Sequence, residues 1–220
     1  LANLSLCCAQ SDEAGRRLID LGLPEDRVMV TGNLKFDTLP VPATGASWMR
    51  RSVMRAFRIT VGRTVIVAAS THPGEESTVL DAFAGLRQRD KDALLLLAPR
   101  HPERSSEVVA LARRRGLDTV TRSTLQVDRE PRAAVVVLDT IGELATLMQI
   151  ATIVFLGGSL VPTGGHNLLE PAVWGKPVVF GPHMQNFAEL AELFLMHRAA
   201  RQIDSADALQ PVLAELLGDP

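Results

Sequence analysis

Residues 151–180 read ATIVFLGGSLVPTGGHNLLEPAVWGKPVVF, and this stretch decides the fold. An apolar run at 152–156 is followed by a glycine-rich segment, a helix-like stretch at 168–174 and a second apolar run at 177–180. A strand, a helix and a strand joined by short connections are typical of a βαβ unit, whose two strands are parallel. Because both runs are almost uninterruptedly apolar, we expect strands that are covered on both faces.

The same alternation extends in both directions along the chain. Further strands are predicted at 64–69, 93–98 and 133–138, and further helices at 75–89, 105–115, 141–149 and 187–197. We therefore predict an α/β fold with a Rossmann-like doubly wound parallel sheet.

The amino-terminal residues repeat this pattern in a shorter form. A strand at 4–9, a helix at 11–21 and a strand at 27–30 are predicted, after which Pro40, Pro42 and Gly45 interrupt regular structure. The sequence therefore predicts an amino-terminal piece at 1–40, a linker at 41–55 and the main domain at 56–220.

Composition excludes several classes of protein. The 220 residues are 46% hydrophobic and 22% charged with a net charge of −2, which argues against disorder and against a nucleic acid partner. No apolar run approaches the roughly 20 residues of a membrane-spanning helix. Cys7 and Cys8 are adjacent in a predicted strand, where their side chains point to opposite faces, so we expect free thiols and a reducing compartment. The chain opens without Met and inside a strand-like segment, so we expect it to be part of a longer protein.

Polar segments follow all five predicted strands of the main domain. They are STHPGEE at 70–76, PRHPER at 99–104, DTIGEL at 139–144, GGSLVPTGGHNLLEP at 157–171 and GPHMQNF at 181–187. In an open parallel sheet the carboxyl ends of the strands share one edge, where ligands bind beside helix amino termini. This edge is the candidate site.

The glycine-rich segment has two interpretations. Glycines such as Gly158 let backbone amides approach a phosphate, and Glu170 would accept the hydroxyls of a ribose. Alternatively, Asn167 and Glu170 have the spacing of a capping box, which would make both of them structural. The residues alone leave both interpretations open.

Other candidate residues at this edge also have a purely structural alternative. Arg100 lies between Pro99 and a His-Pro pair, which stiffens it for a phosphate, or else it pairs with Glu103. Ser70 and Thr71 contact a ligand or cap the helix that follows.

Three further features of the sequence bear on possible binding or catalytic roles. Glu143 is a ligand contact or simply a first-turn acid, with the backbone at Gly142 the better contact. Lys35 would neutralise charge on a departing phosphate or be an ordinary exposed lysine. His183 and His197 lack the spacing of metal ligands, so no zinc site is predicted.

Taken in order, six motifs resemble the carboxyl half of Kdo transferases. They are TGNLKFD (31–37), ASTHPGEE (69–76), LAPRHPER (97–104), DTIGEL (139–144), FLGGSLVPTGGHNLLEP (155–171) and PVVFGPHMQNFAE (177–189). That family transfers 3-deoxy-manno-octulosonic acid (Kdo) from its CMP donor to lipid A precursors. The resemblance implies a GT-B fold, in which two Rossmann-like domains face a cleft and the carboxyl-terminal one holds the donor. Residues 1–40 would then be a remnant of the amino-terminal domain.

The resemblance also implies roles for particular residues. CMP would be contacted by Arg100, His101, Ile141, Gly142, Glu143, Asn167, Leu168, Leu169 and Glu170. We add Ser70, Thr71 and Gly158 because they lie at the same edge, and Lys35 would stabilise the transition state. The family's proposed base, a glutamate in the amino-terminal domain, has no counterpart here, so we expect donor binding without transfer.

The wider implications are also expectations. Transfer would be inverting and need neither a metal nor a cofactor. The lipid A acceptor would be bound through the amino-terminal domain, and the intact protein would associate with the cytoplasmic face of the bacterial inner membrane. The alternatives are a GT-B glycosyltransferase that uses a UDP-sugar and a non-catalytic nucleotide-binding module.

Overall fold

A computed structural model describes residues 3–32, 51, 53–55, 57, 59–125 and 133–218. The chain divides into two compact units, Leu1–Val41 and Pro42–Pro220. Lys35 and most of the predicted linker lie outside the described residues.

The first unit contains one βαβ turn. Strands β1 (Cys7–Ala9) and β2 (Val28–Val30) pair in parallel around helix α1 (Asp12–Asp20). The helix begins where the Ser11 side chain accepts a hydrogen bond of 3.2 Å from the Ala14 N–H, which satisfies one of the free donors of the first turn. All three elements predicted for the first unit are therefore confirmed: β1 and β2 begin three residues and one residue later than predicted, and α1 is one residue shorter at each end.

The second unit is built on a parallel sheet of seven strands among the described residues. They are β3 (Val65–Thr71), β4 (Leu94–Pro99), β5 (Thr119–Thr121), β6 (Val135–Val137), β7 (Ile153–Leu156), β8 (Val178–Phe180) and β9 (Ala200–Gln202). Their order across the sheet is β5-β6-β4-β3-β7-β8-β9, and every neighbouring pair is parallel. The predicted fold class is confirmed.

Among the described residues, five helices connect these strands and a sixth follows β9. They are α2 (Glu75–Arg87), α3 (Ser105–Arg114), α4 (Leu144–Leu147), α5 (Leu169–Ala172), α6 (Ala188–Met196) and α7 (Leu209–Gly218). Short 3-10 turns lie at Pro102–Arg104, Met148–Ile150, Gln185–Phe187 and Ala206–Ala208. Helices α2, α3 and α7 share one apolar cluster with the sheet, in which Phe83 and Phe155 are fully buried.

The strand order creates a switch point beside β3. The chain leaves β3 toward β4 and later returns to pair β7 with the other side of β3, at Ile66↔Ile153. The carboxyl ends of β3 and β7 therefore flank a crevice, which is where open parallel sheets bind ligands.

Candidate functional site

All five predicted polar segments lie at the carboxyl edge of the sheet, because the strands that precede them are parallel. The segments after β3 and β7 approach each other most closely at Gly157. A Cβ on Gly157 would lie 2.5 Å from the Ser70 carbonyl oxygen, so only glycine fits there. Ser70 itself adopts a left-handed backbone with φ of 54°, unusual for a non-glycine residue, at a break in the β3–β4 register.

Glu75 holds these two segments together, and we call Glu75 with the backbone N–H groups that it binds the Glu75 clamp. Its carboxylate is 1% exposed and accepts hydrogen bonds from four backbone N–H groups: His72 at 2.8 Å, Gly158 at 2.7 Å, Ser159 at 3.0 Å and Leu160 at 2.9 Å. An anion held by successive amides is a familiar arrangement, but here the anion belongs to the chain itself. The backbone N–H groups of Gly158, Ser159 and Leu160, at the start of the glycine-rich segment, are therefore occupied.

Gly158 consequently has no free backbone polar group. Its carbonyl accepts from the Gly165 N–H at 2.8 Å and from the Thr163 hydroxyl at 2.9 Å, while its N–H is bonded to Glu75. The prediction that Gly158 offers its amide to CMP does not fit this geometry. Its φ of 64° and its lack of a side chain instead make room for the ring of His166, whose Nε2 would lie 3.1 Å from an added Cβ.

Two histidines meet above this clamp. The Nε2 atoms of His72 and His166 are 3.1 Å apart, and their rings stack with centroids separated by 5.3 Å. Burial, then the nearby His72 and Arg100, lowers the pKa of His166 to about 4, so this ring is neutral near pH 7. The pKa of His72 is also lowered, first by burial. A neutral pair of this kind holds one proton between the two facing nitrogens.

Arg100 and Glu170 provide opposite charges beside the histidines. Arg100 is exposed, and its backbone N–H donates to the Thr71 carbonyl at 2.8 Å, which fixes the base of the side chain. Burial raises the pKa of Glu170, while Arg100 and a hydrogen bond from the Asn167 side chain partly oppose that rise. The alternative pairing of Arg100 with Glu103 is not found among the ion pairs of the described residues, in which the Glu103 carboxylate lies 3.4 Å from His101 Nδ1.

The predicted capping box does not form. Asn167 Oδ1 accepts from the Leu169 N–H at 3.2 Å, but Glu170 bonds to the Asn167 side chain rather than to its backbone. The position before α5 is Leu168, which has no side-chain cap. Glu170 is therefore free of a capping role.

The turn before α4 contains another charged pair. Arg122 donates two hydrogen bonds of 3.0 Å to Glu143, and the Thr140 hydroxyl donates a third at 2.7 Å. Gly142 has a φ of 90° and Ile141 is 87% exposed, so the turn presents an open backbone and an apolar side chain to solvent. Glu143 is thus held by Arg122, which leaves the backbone at Gly142 as the accessible polar contact.

Three predicted contacts have buried side chains. The Thr71 side chain is fully buried and its hydroxyl donates to Glu76 at 3.3 Å, so it does not face the edge. Leu168 and Leu169 belong to the apolar interior, which leaves only their backbone for a ligand. We therefore correct the expectation that the Thr71 hydroxyl contacts CMP.

The sequence interpretation missed Glu75, His166 and Arg122 as parts of this region. Their partners lie 83–85, 94 and 21 residues away along the chain, respectively. The only signal for Glu75 and His166 was their position beside glycines, which many surface loops share.

The described residues contain neither a metal-binding cluster nor a membrane-spanning helix. No group of three or more His, Cys, Asp or Glu side chains there is placed to hold a metal ion. Within the same residues, no helix is both long and apolar enough to cross a membrane.

Residues 1–38 match a family model described as 3-Deoxy-D-manno-octulosonic-acid transferase (kdotransferase). The chain is 35% identical over 217 residues to the 3-deoxy-D-manno-octulosonic acid transferase of Haemophilus influenzae, covering 98% of this chain and 50% of that protein. It is 37% identical over 224 residues to the enzyme of the same name from Bordetella pertussis, covering 100% and 50%. The chain thus spans about half the length of the curated relatives it matches.

Solved structures give a closely matching domain. The chain is 33% identical to the C-terminal CMP-Kdo binding domain of WaaA from Acinetobacter baumannii, with a TM-score of 0.67, covering 79% of this chain and 86% of that one. UDP-GlcNAc 2-epimerase from Neisseria meningitidis, at 18% identity and a TM-score of 0.61, shares the fold alone. Because the identity to the WaaA domain extends over most of both chains, this protein belongs to the Kdo transferase family.

Proposed function

We propose that this chain is the donor-binding part of a Kdo transferase and binds the CMP group of CMP-Kdo in lipopolysaccharide biosynthesis. The observation that carries the proposal is the position of an exposed Arg100 and a half-buried Glu170 at the carboxyl edge of the sheet, near enough that the guanidinium opposes the rise in the pKa of that carboxyl. The similarity to a domain described as CMP-Kdo binding supports the same ligand.

Each polar group has a role that suits one phosphate and one ribose. The Arg100 guanidinium binds the phosphate, since its planar donors match phosphate oxygens. The Glu170 carboxylate accepts the ribose hydroxyls. The backbone at Gly142 and the exposed Ile141 side chain contact the cytosine, while Ser70 and His101 border the phosphate.

The transfer itself needs groups beyond these. The acceptor oxygen bonds to the anomeric carbon of Kdo as the bond from that carbon to the phosphate oxygen breaks, and the electron pair stays on CMP. Arg100 stabilises the charge that develops there, and in our proposal Lys35 does the same. A base must take the acceptor proton, and we propose that it belongs to the amino-terminal half that the longer relatives possess.

The domain division and the partners follow from this proposal. Residues 1–40 belong to the amino-terminal Rossmann-like domain, 41–55 link it, and 56–220 form the donor-binding domain. The acceptor is a lipid A precursor, which places the whole enzyme at the cytoplasmic face of the bacterial inner membrane.

Calorimetry with CMP, UMP and UDP tests the ligand assignment. CMP is expected to bind most tightly, because Glu75 already occupies the three glycine-loop amides that a second phosphate would need. If UDP binds more tightly than CMP, the protein uses a UDP-sugar and our assignment is wrong. Binding of CMP without transfer by the full-length enzyme would instead indicate a non-catalytic nucleotide-binding module.

A further inference from the structure

Glu75 and Glu76 are adjacent, buried carboxylates in the first turn of α2, each 1% exposed. They face different neighbours. Glu75 accepts only backbone N–H groups, one from the segment after β3 and three from the segment after β7. Glu76 accepts from the Arg104 guanidinium at 2.7 Å and from the Thr71 hydroxyl, so it connects β3 with the segment after β4.

The bonds of Glu75 reach both histidines of the site. His72 donates its own N–H to Glu75 Oε2 at 2.8 Å. The same oxygen accepts from Gly158, whose carbonyl holds the Gly165 N–H, directly before His166. One carboxylate oxygen therefore connects to the backbone at both rings, whose Nε2 atoms are 3.1 Å apart.

We propose that Glu75 is a positioning residue for donor binding, which acts by holding His72 and His166 against each other beside Arg100. This inference rests on the proposed function and extends it to a residue that touches no ligand. If the clamp is loosened, the glycine-rich segment moves away from β3, and the charges that surround the donor phosphate move with it.

An ionised carboxylate is required because all four partners are donors. The Glu75→Gln variant keeps the size of the side chain but replaces one accepting oxygen with an NH₂ group, which faces N–H groups it cannot bond. Glu76→Gln is the control: it makes the same change at the next residue, equally buried, but Glu76 bonds to the side chains of Arg104 and Thr71 and to no N–H group of the segment that carries His166.

The experiment measures two quantities in the full chain and in both variants. NMR titration of the imidazole groups gives the pKa values of His72 and His166, and calorimetry gives the affinity for CMP. In Glu75→Gln we expect the His166 pKa to rise by about one unit or more as the ring becomes hydrated, and CMP affinity to fall about tenfold. Glu76→Gln is expected to lower thermal stability and, because the Glu76 charge raises the pKa of His72, to lower that pKa, while the His166 pKa and the CMP affinity stay near those of the unaltered chain.

Two results would overturn the proposal. One is an unchanged His166 pKa in Glu75→Gln, and the other is an equal effect of the two variants on the His166 pKa and on the CMP affinity. If Glu75→Gln does not fold, Glu75→Asp decides the matter, because it keeps the charge but is too short to reach all four N–H groups. If the unaltered chain does not bind CMP, the proposed function fails, while the histidine titration still tests the role of Glu75.

Discussion

Glu170 shows how surroundings give a common side chain a particular task. Burial raises its pKa, and Arg100 and Asn167 counteract that effect, so its charge depends on burial and on two neighbours. The sequence offered a structural alternative for this residue, the capping box, which the geometry excludes. We propose that this carboxylate, which has no capping role, accepts hydrogen bonds from the ligand.

We predict that Glu170→Gln weakens CMP binding by about 1–3 kcal/mol, because a charge-assisted hydrogen bond to the ribose is lost. Arg100→Ala should weaken it similarly. Thermal stability should change little in either variant. Calorimetry and thermal melting check this, with Glu192→Gln on the exposed side of α6 as the control. A large loss of stability with unchanged affinity would show that Glu170 is structural after all.

His166 makes stability depend on pH. Its pKa falls from 6.5 to about 4 on folding, first because of burial, so the unfolded chain binds a proton in this range that the folded chain does not. Stability is therefore expected to fall as pH decreases from about 6.5 to about 4, and this group adds nothing further below that range. His166→Gln should remove this part of the acid sensitivity. Urea unfolding of both proteins at several pH values between these limits gives the measurement, and identical slopes would refute the prediction.

Strands and helices were predictable to different degrees, for reasons visible in particular elements. The five apolar strands were found because each is buried on both faces. The edge strands β5 (Thr-Val-Thr) and β9 (Ala-Arg-Gln) were missed because each has only one apolar residue among three, which does not form an apolar run. Helix α4 is shorter than predicted because Gly142, with a φ of 90°, keeps the preceding turn out of the helix.

The position of the candidate site at one edge of the sheet was predictable, but the contacts between its residues were not. Polar residues follow each strand in the sequence, and parallel pairing alone brings them together. The clamp at Glu75 depends on amides 83–85 residues away, so its partners follow from the tertiary fold and not from any local pattern. This is why the glycine-rich segment was expected to bind a phosphate when its first amides bind a side chain of the protein.

The close approach of β3 and β7 gives a prediction for Gly157. Gly157→Ala would place a methyl group 2.5 Å from the Ser70 carbonyl oxygen, and neither backbone can yield easily. We expect a loss of about 1–3 kcal/mol of unfolding free energy, measured by chemical denaturation. Gly218→Ala is the control, since nothing lies within 4 Å of its added Cβ. Equal stability of the two variants would mean that the strands separate freely.

The whole chain corresponds to about half of its curated relatives, which sets a limit on its chemistry. We predict that it binds CMP but transfers no Kdo by itself, because holding two reactants in register accounts for about 7–11 kcal/mol of barrier lowering. Mass spectrometry of the chain with CMP-Kdo and a lipid A precursor would show no product, and a full-length enzyme would serve as the positive control. Multiple turnovers by the chain alone would mean that one of its own acids acts as the base.

The location of the nucleotide is the central claim, and an NMR titration of the isotope-labelled chain with CMP tests it most directly. We predict saturable shifts of the backbone amides of His72, Arg100, Gly142 and Glu170, all at the carboxyl edge of the sheet. Amides at the opposite edge, such as Asp90 and Gly116, should not move. Saturable shifts confined to that opposite edge, or none at all at millimolar CMP, would contradict the account.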